Sequence, residues 1–242
     1  MTLKRLHAPF RLSDVLDANI ADMTLKKTER TEFRLMKSVA ELLSDRPLSQ
    51  IRNIDISKHA GVSYGVVNLR FNDKFELVRR LVNYYFTQFN LEFDRHIEAQ
   101  GGEEDVYLRL YDTVDYLIGC CRNNLGITRM LLVESNQTPQ LRDQSKKTML
   151  HWNDRLAELI PVRIGGKRFT KEDKHAMGIV LGGMLDDSIR QFYLVKDPIA
   201  HCKPKKLAEI ITILRYRAIF GEDPSPGSVK RARLLAKRKD SH

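Results

Sequence analysis

Gly61-Val62-Ser63-Tyr64-Gly65 fits G-x-S-x-G, the spacing that presents a hydrolase's nucleophilic serine. On that reading Ser63 would do acyl-transfer chemistry. The same letters also fit the turn of a helix-turn-helix, where Ser63 would open a helix that enters a DNA groove. A nucleophile elbow needs a buried strand before the serine. The preceding residues are Ile54-Asp55-Ile56-Ser57-Lys58-His59-Ala60, and a strand here would carry Lys58 and His59 in its middle. As a helix the stretch works, with Asn53 as its cap and Ile56 and Ala60 on one face.

The helix-turn-helix reading gives each letter a task. Gly61 takes the left-handed conformation that ends the first helix. Val62 fills the angle between the two helices. Ser63 caps the second helix through its hydroxyl oxygen. Gly65 removes a side chain where the backbone approaches a phosphate. Val67 faces inward, which leaves Tyr64, Val66, Asn68 and Arg70 on or near the outer face. The other candidate chemistry is thin. Asp186-Asp187 could be paired carboxylates, yet no His stands at ligand spacing, and a polar helix face is the better reading. No metal or cofactor is expected.

With these residues in place, the chain resembles the TetR family of bacterial transcriptional regulators. The matching positions are Asp55-Ile56, Ala60-Gly61-Val62-Ser63, Gly65, Phe71, Lys74 and Leu77. The stretch RFNDKFELV continues the pattern, with Asp-Lys and an acidic residue starting the next helix. The match covers about residues 28–82. The chain departs from the family at Val66, where Thr is usual, at Asn68, where Tyr is usual, and at Ser57, where Ala is frequent. The resemblance implies DNA contacts from Arg52, Ser63, Tyr64, Gly65, Val66, Asn68, Arg70 and Lys74. Tyr64 and Arg70 are the base-edge candidates. Ser63, Gly65, Asn68 and Lys74 are phosphate candidates, Lys74 the foremost. Lys26, Lys27 and Arg30 could form a minor-groove arm or be ordinary surface charge.

The elements that must hold these residues have helical period almost throughout. Leu35, Met36, Val39, Leu42 and Leu43 form one stripe, and Arg46-Pro47 ends that helix. A long helix is predicted from Asp73 to Ala99 on the stripe Leu77, Val78, Leu81, Tyr85, Phe89, Phe93 and Ile97, with Gly101-Gly102 as its stop. Further helices are predicted over 103–121 and about 126–133. Another opens at Thr138-Pro139 and is closed by Pro161 and Gly165-Gly166. The next is capped by Thr170, and the last runs over about 204–220. Residues 12–23 could add a short amphipathic helix with Leu12, Leu16, Ile20 and Met23 aligned. No alternating strand and no repeat is evident. The expectation is an all-α fold of about nine helices. It comprises an N-terminal extension (1–24), a three-helix helix-turn-helix domain (25–82) and a larger helical ligand-binding and dimerisation domain (83–222). A basic tail, read as disordered, follows (223–242).

Charge agrees with that division. The chain has 242 residues, 42% of them hydrophobic, and a net charge of +10. Residues 25–82 hold twelve Lys and Arg against seven Asp and Glu, and residues 228–242 hold six against one. The stretches 1–24 and 83–227 are balanced. A basic excess confined to the motif and the tail suits a polyanion partner, though a solvated surface with a solubilising tail would look similar. No apolar run is long enough to span a membrane, and the first residues lack a secretory h-region. Three cysteines, Cys120, Cys121 and Cys202, fit neither a disulfide framework nor a zinc site. A cytoplasmic setting is expected.

Two groups of residues in the second half bear on regulation. The resemblance implies a hollow core, for which Tyr107, Tyr111, Cys120, Trp152, Met184 and Phe192 are candidate lining. Its charge-balanced, aromatic-rich composition suits a small, largely apolar effector. Gly178, Gly182 and Gly183 share one helix at a cost of about 1 kcal/mol each relative to Ala, so close approach or ligand room is expected there. By resemblance the last two long helices pair across a two-fold axis. Gly178, Gly182, Gly183, Ile210 and Leu214 are therefore candidate interface residues of a homodimer. The reading is a ligand-released homodimeric repressor of a palindromic operator. The alternatives are a DNA-binding regulator governed by a protein partner or by no ligand, an all-α enzyme, and a protein-interaction module.

Overall fold

The computed structural model describes residues 8–135, 139–158, 160, 162–164, 167–195 and 201–239. Thr138, Pro161 and Gly165-Gly166, predicted to open and close one helix, lie outside the described residues, as do residues 1–7 of the extension and 240–242 of the tail. The fold is all-α. Its helices among the described residues are α1 (Leu12–Ala21), α2 (Lys27–Asp45), α3 (Asn53–His59), α4 (Gly65–Arg70), α5 (Lys74–Ala99), α6 (Val106–Asn123), α7 (Leu125–Arg129), α8 (Pro139–Glu158), α9 (Lys171–Ile189), α10 (Pro204–Phe220) and α11 (Pro226–Lys239). π-helical turns extend α7 over Met130–Glu134 and α9 over Arg190–Leu194. The one strand pair among the described residues, β1 (Arg163–Ile164) with β2 (Lys167–Arg168), is antiparallel and two residues long. No helix among the described residues is long and apolar enough to cross a membrane.

The contacts divide the chain into two compact units that cut across the boundaries expected from the sequence. One comprises Phe10–Phe93 with Cys120–Lys146, and the other Asp94–Gly119 with the residues from Lys147 onward and the segment before Phe10. Helices α5, α6 and α8 each supply residues to both. The extension therefore does not stand apart from the helix-turn-helix. Leu12 and Leu16 of α1 are buried, and α1 packs along α2. Asn124 ties the segment down: its Oδ1 accepts from Leu12 N at 2.9 Å and its Nδ2 donates to Phe10 O at 3.0 Å. Met23, expected on the same stripe, is exposed because α1 ends at Ala21.

The predicted stripe of α2 is buried throughout. That of α5 holds from Leu77 to Phe93, after which His96 rather than Ile97 turns inward. Asp73 and Glu76 cap α5 reciprocally. Asp73 Oδ1 accepts from Glu76 N at 2.7 Å, and Glu76 Oε2 accepts from Asn72 N at 2.9 Å. Thr170 caps α9 as expected, its Oγ1 accepting from Asp173 N at 3.1 Å.

In the other unit the tail proves to be helix α11, not a disordered segment. Ala232 and Ala236, one turn apart, are buried, and Val229 and Leu235 are half-buried. Arg233 binds Glu209 of α10 through two bonds, Nε–Oε2 at 2.7 Å and Nη2–Oε1 at 2.9 Å. Arg231 reaches Glu103 at 3.2 Å. Arg231 and Arg233 are thus matched to fixed acids, which a composition count does not reveal.

Candidate nucleic-acid interface

The turn after α3 is built as its glycine requires. Gly61 has φ +65°. Val62 N donates to Ser57 O at 3.0 Å and Gly61 N to Lys58 O at 3.2 Å. These two bonds make a Schellman motif, which spends the last free carbonyls of α3 and turns the chain into α4. Val62 is half-buried in the angle and Val67 is fully buried. Ser57 is buried and its Oγ donates to Tyr64 O at 3.3 Å, so this hydroxyl joins α3 to α4. Ser38 Oγ of α2 donates to Ile56 O at 2.9 Å and joins α2 to α3.

Two caps differ from expectation. Asn53 is the first residue of α3 rather than its cap; the Asp55 carboxylate accepts from Arg52 N at 3.0 Å instead. A hydrogen bond from the Arg52 side chain, which is the larger effect, and this backbone bond both hold the Asp55 carboxyl below its usual range. The Ser63 hydroxyl makes no cap bond either. Its carbonyl receives Val66 N at 3.0 Å, a tight first turn in which Tyr64 is already helical. No described histidine is hydrogen-bonded to Ser63, and helix α3, not a strand, leads into the turn. The geometry of a nucleophile elbow is absent at this serine.

The outward face of α4 is Tyr64, Gly65, Asn68 and Leu69, with Ser63 just before it. Tyr64 is 61% exposed and Leu69 86%. Val66 and Arg70 flank this face half-buried, and Arg70 Nη1 donates to Thr28 O at 3.0 Å. Arg70 therefore braces α4 against the start of α2 through one of its N–H groups. Leu69 is the one outward residue of α4 that the motif's spacing does not single out. Asn68 Oδ1 accepts from Asn53 Nδ2 at 2.7 Å, which leaves its amide nitrogen for another partner. Arg52 is exposed beside Asp55. Lys26 and Lys27 are exposed at the start of α2, while Arg30 Nη1 lies 2.8 Å from Met23 Sδ.

Lys74 has a different position from the one expected. Its Nζ donates to Leu48 O at 2.9 Å and to Ile51 O at 3.0 Å, and burial lowers its pKa. The Leu48 N–H is taken by Glu134 Oε2 at 2.8 Å. The turn before α3 is thus clamped on both sides, by α5 and by the π-helical turn after α7. Lys74→Met should cost about 1–2 kcal/mol of stability by leaving two carbonyls without their donor. Chemical denaturation checks this; an unchanged midpoint would mean that the ammonium is idle in the fold.

Of the residues expected to line a pocket, Tyr107, Tyr111, Trp152, Met184 and Phe192 fall in one compact unit and Cys120 in the other. Cys120 lies in the helix-turn-helix unit, where its Sγ accepts from Phe10 N at 3.2 Å. Tyr107 and Tyr111 are buried in the other unit, with Tyr107 against Tyr216 at 5.9 Å between ring centroids. Trp152 and Phe192 are half-buried, and Met184 packs on Leu181, Ile160 and Ile219.

The glycines of α9 also part company. A Cβ on Gly178 or Gly182 would strike Asn153 of α8, so both serve packing within the chain. Gly183 faces open space, while Ile210 and Leu214 of α10 are 40% and 45% exposed. Val180 of α9 is 69% exposed. Beneath α9, burial raises the Asp186 carboxyl to about 6, against the pull of Arg215. Asp187 is paired to Arg190, so the two acids do not act as a pair. The chain matches no family model, and no curated protein matches it.

Proposed function

We propose that the chain is a DNA-binding transcriptional regulator of the TetR type. It is read as a homodimeric repressor that releases a palindromic operator when a small, largely apolar effector binds. One observation carries the reading: a Schellman turn at Gly61 joins two short helices, and the second exposes Tyr64, Gly65, Asn68 and Leu69. An exposed tyrosine and leucine on so short a helix have no packing purpose in the chain itself. The basic excess of residues 25–82 supports a polyanion partner. The exposed apolar side chains Val180, Ile210 and Leu214 support a second copy of the chain.

The clamp on Leu48 supports a route for release. A shift of the π-helical turn would pull the Leu48 N–H through Glu134 and disturb the carbonyls held by Lys74. The recognition helix would follow, because α3 and α4 move as one piece through Ser57.

Selection of bound duplexes from random DNA tests the reading. Recovered sites should be inverted repeats whose half-sites lie about 34–36 Å apart, or a multiple of that. Sites without an inverted repeat would defeat it. Gly65→Ala sharpens the test. A Cβ there meets nothing within 4 Å, so the helix should hold or gain up to about 1 kcal/mol. DNA affinity should nevertheless fall, because the backbone can no longer approach a phosphate as closely. A variant as tight on DNA as the parent would remove Gly65 from the interface.

A further inference from the structure

α10 and α11 enclose a groove of about 510 Å³, within the range that takes a small molecule. Its apolar wall is Ile213 of α10, Val229 of α11, and Pro224 and Pro226. Three cations reach it, Arg217, Lys230 and Arg233, against the single acid Asp223.

Two of those cations bring their own counter-ions. Arg217 Nε donates to Asp223, and Arg233 is held by Glu209. Lys230 is exposed and has no hydrogen bond or ion pair among the described residues. Lys230 is therefore the one lining cation without a carboxylate beside it, and Arg233 shares Glu209 with Lys206 at 2.8 Å. The first turn of α11, Pro226 to Val229, adds the positive end of its helix dipole, with Ser225 already accepting from Ser228 N at 3.0 Å and Val229 N at 3.1 Å.

We propose that this groove binds a monoanionic amphiphile, a carboxylate on an apolar chain of medium length. The carboxylate would sit at Lys230 and the first turn of α11, and the chain over Ile213, Val229 and the two prolines. A polyphosphate is a poorer match, because both arginines already hold carboxylates. A neutral lipid would leave Lys230 unused. The site belongs to the compact unit that does not hold the residues assigned to DNA, and it does not rest on the DNA-binding reading.

The full chain is titrated calorimetrically with sodium octanoate at low salt, with octan-1-ol as the neutral match. Octanoate should bind saturably at one site per chain, and octan-1-ol more weakly. Lys230→Gln should weaken octanoate about two- to fivefold, the worth of an exposed ion pair, and leave octan-1-ol unchanged. Lys237→Gln removes the same charge from α11 outside the groove and should change neither. Thermal melts of both variants check that the fold is kept. Equal affinity for the acid and the alcohol would overturn the proposal. So would equal losses in the two lysine variants, no loss in Lys230→Gln, or no saturable octanoate binding. Because this readout contains no DNA, its failure leaves operator selection untouched, and the converse also holds.

Discussion

Glu209→Gln should cost the folded chain about 2 kcal/mol at neutral pH, and the cost should shrink in acid. Two bonds from Arg233, the largest effect, with help from Lys206 at 2.8 Å, hold the Glu209 carboxyl down to about 2. Its folded pKa is depressed, so the stabilisation is complete above the unfolded value near 4.5. It is lost as pH falls from there through about 2, where both states are protonated. The figure is less than the whole shift would give, because Arg233 is 60% exposed and remains partly hydrated. Urea unfolding of parent and variant between pH 7 and pH 3 measures the gap. A gap that stays constant across that range would mean that Glu209 acts by packing and not by charge. Because Arg233 tethers α11, the variant should also free the tail to proteolysis before the rest of the chain.

Gly126→Ala should destabilise by about 1–3 kcal/mol, although alanine is the better helix former. The added methyl would lie 2.5 Å from Ser44 N and 2.6 Å from Leu43 C. Both are backbone atoms at the end of α2, so no side chain can swing aside. α7 would have to retreat, and Arg129 would lose its bond to Leu43 O. A denaturation midpoint equal to or above the parent's would show that α2 and α7 do not meet this closely. The contrast with Gly65 is useful. Both glycines stand in short helices, and only the surroundings give the substitutions opposite signs.

These surroundings separate what the amino-acid order reveals from what it hides. The Gly61 turn could be read directly, since a left-handed residue between two helix signals has few alternatives. The stripes of α2 and α5 were equally plain, because large apolar residues recur at a fixed period. The tail was misread because its inward positions are mostly small and its six cations dominate the composition; Glu209 and Glu103, which fix it, stand far away in the chain. Gly178 and Gly182 announced a close approach without naming the neighbour, and the neighbour is Asn153. The bonds of Lys74 and Arg70 to the carbonyls of Leu48, Ile51 and Thr28 could not be read from local spacing. Long side chains choose partners through the tertiary structure, and local spacing does not disclose them.

The alternation of segments between the two compact units has a consequence for synthesis. The helix-turn-helix unit needs residues 120–146 as well as 10–93, so it cannot be completed when its motif leaves the ribosome. At about 5–20 residues per second the missing pieces, α7 and its π-helical turn among them, arrive several seconds later. Throughout that wait the α2 surface that Gly126 will cover stays bare, and the amide of Leu48 lacks Glu134. The nascent chain must carry an unfinished unit past the point where a contiguous domain would already have closed.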